Sequence, residues 1–228
     1  GARSADFLIV MAVTDPSKGS RGGITAFLVD KGAKGLSIPT VFSTIGEAAP
    51  YGVFFDNVEV GDDQVLGEVG NGFGPMQNRL GVRRMEIACR GLGYARRCID
   101  LMIPQANERV TFGRPLADRQ QVQWWIADSF QELEMVRLIT WRLAWKIDSG
   151  QTGWKRDAAM VKLQGTEMAG RVVDRAMQLY GGMGMTKDMP LEYMARACRV
   201  WRIYEGPSEV HRWLIARDLL KNGMPSAD

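Results

Sequence analysis

The residues best suited to chemistry lie near the C-terminus, in the run Arg202-Ile203-Tyr204-Glu205-Gly206-Pro207-Ser208-Glu209-Val210-His211-Arg212. Gly206 suits the N-cap of a helix and Pro207 its first position, where a missing N–H costs nothing; Glu209 then falls third. Glu205 is delivered on a turn at the mouth of that helix, between apolar Ile203 and Tyr204 and a residue without a side chain. A carboxylate so placed is a candidate general base. Taken singly, such a residue is more often a solvated loop carboxylate.

Three more polar or glycine-rich patches punctuate the chain: Glu108–Gly113 (ERVTFG), Asp118–Gln121 (DRQQ) and Gln178–Gly184 (QLYGGMG). Glycines at a helix end let backbone N–H groups approach a phosphate unobstructed. Arg109 can pair with such a phosphate through its planar fork. Gln120 and Gln178 carry both donors and acceptors, as an adenine or ribose edge requires. Each patch also has a purely structural reading: Arg109 as a charge at a helix C-terminus, Gly181-Gly182 as a C-cap, the glutamines as surface residues.

The elements that must position these residues change character along the chain. Asp6–Val13, Ile24–Val29, Gly35–Ser43 and Tyr51–Val60 read as short strands separated by turn signals, with Pro39 interrupting the third. Gly67, Gly70, Gly72 and Gly74 read as a hinge, because no strand–helix–strand unit surrounds them to make a dinucleotide loop. Long helical segments follow. The first runs from about Pro75 to Arg109, with Pro104 expected to kink it. The second covers about Asp118–Ser149, on Val122, Ile126, Leu133, Val136, Leu143 and Ile147. The third covers about Gly153–Tyr180, with Ala159, Leu163, Thr166, Gly170, Val173, Met177 and Tyr180 as a close-packed seam. A short helix around Leu191–Arg199 and a last one from Pro207 to about Lys221 complete the set. The fold class expected is α+β and multi-domain: a partial antiparallel β domain over 1–68, then an up-and-down four-helix bundle over 69–228. Trp124, Trp125, Trp141 and Trp145 are expected in the core or at a subunit contact.

Composition narrows the function. The 228 residues are 46% hydrophobic and 24% charged with a net charge of +3, too little to argue for nucleic acid. A single histidine, His211, argues against a zinc site or a histidine triad. Cys89, Cys98 and Cys198 lack metal-ligand spacing and read as reduced thiols of an intracellular protein. No apolar run approaches the ~18 residues of a membrane span. We therefore expect a bacterial cytoplasmic protein, or a mitochondrial or peroxisomal matrix protein if eukaryotic. Gly1 in place of a methionine, directly before a strand, leads us to expect upstream sequence.

The order of the motifs is more specific than any one of them. ERVTFGRPLADRQ, QLYGGMG and RIYEGPSEVHR, with NGFGPM at Asn71–Met76, resemble the acyl-CoA dehydrogenase family over most of the chain. The resemblance implies an FAD enzyme that oxidises an acyl-CoA thioester to the trans-2-enoyl-CoA. A carboxylate takes the α-proton, and the β-hydrogen passes as hydride to flavin N5. It implies Glu205 as that base, Arg84 and Gly206 at the substrate, and flavin contacts from Arg109, Val110, Thr111, Arg119 and Gln120. It implies further contacts from Gln178, Leu179, Tyr180, Gly181 and Gly182 to the adenosine part of a flavin held mainly by a neighbouring subunit, and a last flavin-contacting turn at Pro207, Ser208 and Glu209. Some branches place the base on the first long helix; the matching residue here, Arg83, cannot serve. The partners implied are a homodimeric or homotetrameric assembly and an electron-transfer flavoprotein as acceptor.

Pro207 and Glu209 depart from the family's usual Thr and Gln, and the sequence resembles the branch of members 10 and 11. Glu209 beside a flavin diphosphate would need a cation such as Arg212. The family's N-terminal helical domain and first β segments have no counterpart in this chain. Two alternatives stay open: a flavin-free helical scaffold for oligomerisation, and a flavin oxidase on the same fold.

Overall fold

The computed structural model describes residues 1–45 and 49–225, so the last three residues of the expected 69–228 bundle lie outside the described residues. The chain divides into two compact units, Gly1–Leu80 and Gly81–Asp228.

In the first unit, β1 (Phe7–Val13) pairs antiparallel with β2 (Ile24–Asp30), Phe7 opposite Asp30 and Val13 opposite Ile24. β3 (Leu36–Val41) pairs antiparallel with β4 (Tyr51–Phe55). Their register shifts between Ser37 and Thr40, around Pro39, which has no N–H to give the ladder. β4 ends at Phe55, short of the expected Val60, because Asn57 takes φ +49° and turns the chain out of the ladder. The glycine-rich segment is pinned rather than free. Gly70 N–H donates to Thr25 Oγ1 at 2.8 Å and Gly72 N–H to the Ile24 carbonyl at 2.8 Å. A Cβ on Gly72 would lie 2.7 Å from the Ala26 nitrogen, so only glycine allows this approach to β2.

α1 (Phe73–Glu108) runs on through Pro104. A two-residue hairpin follows, β5 (Val110–Thr111) against β6 (Arg114–Pro115), with Phe112 at φ +48° and Gly113 at φ +78°. Two successive left-handed residues are what such a tight turn requires. The remaining helices are α2 (Gln120–Asp148), α3 (Trp154–Tyr180), α4 (Leu191–Trp201) and α5 (Ser208–Asn222).

α3 is the central helix, packing against α2, α4 and α5. Its Met168, Val172 and Ala176 share one core with Ile87, Cys98 and Met102 of α1, Leu133 and Val136 of α2, and Leu191 and Cys198 of α4. α1 meets α3 backbone to backbone. A Cβ on Gly91 would lie 2.6 Å from the Gly165 carbonyl oxygen, and one on Gly165 would lie 2.7 Å from the Ala88 Cβ. The result is the expected α+β arrangement: antiparallel strand pairs, then a helical bundle.

Of the α2 tryptophans only Trp125 packs against the core. Trp124, Trp141 and Trp145 are each more than half exposed, so for these three the core reading is corrected. They lie on the outer face of α2 with Leu138 and Phe130. Cys98 and Cys198 are buried free thiols that burial pushes up to about 12, whereas Cys89 is exposed. Among the described residues no helix is long and apolar enough to cross a membrane.

Candidate functional site

The site is built around the turn between α4 and α5. After α4 the chain keeps one more bonded turn, with the N–H groups of Ile203 and Tyr204 on the Val200 carbonyl. Glu205 and Gly206 then take φ +56° and +98° in succession. A left-handed glutamate is strained and persists only where its surroundings hold it. Because Gly206 is left-handed it cannot join the helix. α5 starts at Ser208, with extended Pro207 as N-cap, one residue later than expected, and Glu209 falls second rather than third.

Two cations hold this turn by its backbone. Arg84 of α1 donates from Nε to the Glu205 carbonyl at 3.2 Å, and Lys162 of α3 donates from Nζ to the Gly206 carbonyl at 2.6 Å. Ser208 ties the start of α5 to α3 by donating from Oγ to Glu167 Oε1 at 2.7 Å, while Arg202 Nη1 lies 3.6 Å from the other Glu167 oxygen. With both carbonyls satisfied, the Glu205 carboxylate is left to project, its side chain 23% exposed. Arg83 stands beside it, with Nε 3.8 Å from Glu205 Oε1 and Nη1 donating to Glu86 Oε2 at 2.5 Å.

Under the turn lies His211, fully buried, and among the described residues neither ring nitrogen has a partner that meets hydrogen-bond geometry. A Cβ on Gly206 would sit 3.1 Å from its Nε2, so both the backbone angle and the imidazole demand glycine there. Burial, with the Lys162 and Arg84 charges, pulls His211 down to about 4, against a smaller opposite pull from the Glu205 and Gly206 backbone. Burial likewise pulls Lys162 down to about 8, helped by Arg84 and opposed by Glu167, Glu205 and Glu209. Burial first, and the neighbouring cations second, favour the neutral imidazole.

A second region forms at the hairpin. Arg109, Thr111, Leu179, Tyr180, Gly181 and Gly182 line one cleft of about 610 Å³ together with Gln105, Glu108, Leu116 and Met183. A Cβ on Gly181 or Gly182 would meet nothing within 4 Å, so both leave open space in the cleft that Arg109 also lines. That combination fits a phosphate-linked group. Other residues are already occupied. Tyr180 donates its hydroxyl to the Leu101 carbonyl, and Arg119 donates to the Thr111 carbonyl while lying over the Phe112 ring. Val110, Gln120 and Gln178 are exposed and outside the cleft lining. Pro207, Ser208 and Glu209 belong to the Glu205 turn instead. Glu209 is exposed, and among the described residues no ion pair joins it to Arg212.

Residues 70–220 match the family model described as "Acyl-CoA dehydrogenase, C-terminal domain". The chain belongs to the acyl-CoA dehydrogenase family. Similar proteins in this family include (R)-benzylsuccinyl-CoA dehydrogenase of Thauera aromatica, 51% identical over 95% of this chain and 53% of the relative. Another is the caffeyl-CoA reductase–Etf complex subunit CarC of Acetobacterium woodii, 35% identical over 95% of this chain and 57% of the relative. Among solved structures, PigA with FAD and proline superposes with a TM-score of 0.91 at 29% identity, over 96% of this chain and 57% of that one. The chain thus spans little more than half the length of these relatives, and the cofactor indicated is FAD.

Sequence reading missed Lys162, Glu167 and Arg202, and noted His211 only as an unsuitable metal ligand. A signal for Lys162 was present: it lies three residues after Ala159 and four before Thr166, a charge on an otherwise apolar seam.

Proposed function

We propose that the protein carrying this chain oxidises an acyl-CoA thioester between its α and β carbons, with Glu205 removing the α-proton. What carries the reading is the turn itself: a strained left-handed glutamate whose carbonyl is held by Arg84, followed by a glycine whose carbonyl is held by Lys162, with the glutamate carboxylate left to project. A base held this way pays little reorganisation when it meets the proton. Gly206, lacking a Cβ, lets the thioester approach the turn. FAD, when bound, supplies the hydride acceptor. Arg109, Thr111 and the Leu179–Gly182 segment would hold the phosphate-linked end of a flavin belonging to a second subunit, and the apolar outer face of α2 supports a dimeric or tetrameric assembly. The Acetobacterium relative's name places it in an Etf complex, which supports an electron-transfer flavoprotein as partner.

The direction of reaction is part of the proposal, since one relative is named a dehydrogenase and another a reductase. The experiment is an anaerobic visible spectrum of the complete protein titrated with acyl-CoAs. Bleaching of a flavin band by a saturated thioester is the expected result. A protein that stays colourless when FAD is supplied would leave the helical scaffold as the better reading.

A further inference from the structure

Lys162 is the largest fully buried side chain among the described residues, on a stretch of α3 where its neighbours Val161 and Leu163 are buried and apolar. Its Nζ makes one hydrogen bond there, to the Gly206 carbonyl at 2.6 Å, and no carboxylate among the described residues lies within ion-pairing distance of it. A sealed ammonium is costly, and an apolar side chain of similar length would serve the packing at least as well. Stability alone therefore does not account for a lysine at this position. The peptide it reaches does. Gly206 sits at φ +98° and Pro207 has no N–H, so the Gly206 carbonyl is the only polar atom on the peptide plane between them. The plane before it, between Glu205 and Gly206, is held through its carbonyl by Arg84. Two successive peptide planes thus have one side-chain support each, and the left-handed Glu205 persists only while its surroundings hold it.

We propose that Lys162 is a positioning residue for proton abstraction: its buried ammonium fixes the Gly206–Pro207 peptide plane and thereby keeps the Glu205 carboxylate aimed at the α-proton. The inference rests on Glu205 being the base. Arg84 cannot replace this hold, because Gly206 without a Cβ turns freely beyond the plane that Arg84 fixes. The charge on Lys162 matters as well as its reach. Arg84 from α1, Glu205 in the turn, Glu209 and His211 from α5 and Glu167 on α3 itself all act on it or feel it. Burial, aided by Arg84 and opposed by the three glutamates, pulls Lys162 down to about 8. Below that pH the ammonium gives a charge-assisted bond; above it the neutral amine donates more weakly and the turn loosens while the helices stay packed. The aim of the base is then sensitive to a proton held outside the reaction.

The test is rapid-mixing anaerobic bleaching of the FAD-loaded holoenzyme, using the saturated acyl-CoA that bleaches it fastest, with and without deuterium at the α carbon. Lys162→Met should lower the limiting bleaching rate by roughly 10–100-fold, while the thioester concentration at half-saturation changes by less than about threefold. The α-deuterium isotope effect should rise, since a misaimed base slows the step that breaks that bond. The melting temperature should hold or increase, as expected when a buried charge gives way to an apolar side chain. Lys162→Gln, which keeps a donor without the charge, should fall between the two. The unsubstituted enzyme should lose rate as pH rises through about 8, and Lys162→Met should lack that limb. A Lys162→Met enzyme that bleaches at the normal rate, or Lys162→Met and Lys162→Gln proteins that lose rate only in step with melting temperature and flavin content, overturns the proposal and leaves Glu205 as the base. If Glu205→Gln bleaches as fast as the unsubstituted enzyme, both readings fall together.

Discussion

The turn at Glu205 and the cleft at the β5–β6 hairpin are both polar sites at helix ends, yet they are built on opposite plans. The turn is closed upon itself. Its two carbonyls are taken by Arg84 and Lys162, Ser208 is bonded to Glu167, and the histidine beneath is fully buried. The cleft is turned outward: Gly181 and Gly182 face open space, and Phe112 at the hairpin tip is 98% exposed. An aromatic ring held at positive φ, met by the Arg119 guanidinium and otherwise open, gains little from water. The lesson is that one region is tied together by side chains from three helices, while the other leaves its backbone open. In the proposed reading the first would present the base and the second would receive part of a flavin.

That contrast can be broken by experiment, most sharply at the base. Glu205→Gln should lower turnover on the order of 10³-fold or more while a thioester still perturbs the flavin spectrum, because the amide keeps the shape and loses only the proton acceptor. Retained turnover would remove Glu205 from the chemistry. Arg109→Ala should instead weaken FAD retention, by roughly 10–100-fold, with turnover per bound flavin little changed. If the two regions serve different flavins of one oligomer, mixing Glu205→Gln and Arg109→Ala subunits should recover about a quarter of normal activity, from hybrids in which one site has both parts intact. No recovery on subunit exchange would mean that both regions serve the same flavin.

Smaller effects concern stability. His211 is pulled down to about 4 in the fold from an ordinary 6.5, so the unfolded chain binds the proton more readily between those values. Its contribution is fully present above pH ~6.5 and is lost as pH falls through about 4, by roughly 3 kcal/mol at most. Thermal melts from pH 7 to 4 should show this loss, and His211→Asn should flatten it. Phe112→Ser should change stability least, by under about 0.5 kcal/mol, since the ring is exposed. A larger destabilisation would show that the hairpin tip is covered in the assembled protein.

The helices were legible because their signal is local. The expected spans Asp118–Ser149 and Gly153–Tyr180 meet α2 and α3 within two residues at each end, and the apolar positions that marked them, Val122 to Ile147 and Ala159 to Met177, are buried or half-buried. The start of α5 was displaced by one residue because Gly206 satisfies an N-cap pattern, but the left-handed run from Glu205 carries the chain past it. The strand expected to Val60 stopped at Phe55 because Asn57 turns, which alternating hydrophobicity does not report. The Glu205 motif was visible, but its supports were not. Arg84, Lys162 and His211 come from three helices, and only the packing of α1, α3 and α5 shows that they converge on one turn.

The contact between Gly91 and Gly165 acquires a different meaning in that light. Arg84 lies two helical turns before Gly91 on α1, and Lys162 lies one turn before Gly165 on α3. Two helices touching at bare backbone cannot slide along each other, so this contact works as the gauge block that sets where both cations arrive. An added methyl group at Gly165, far too small to matter on most surfaces, would move the tool rather than the workpiece. A screen for activity would then count Gly165, which holds no ligand and no proton, among the residues of the site.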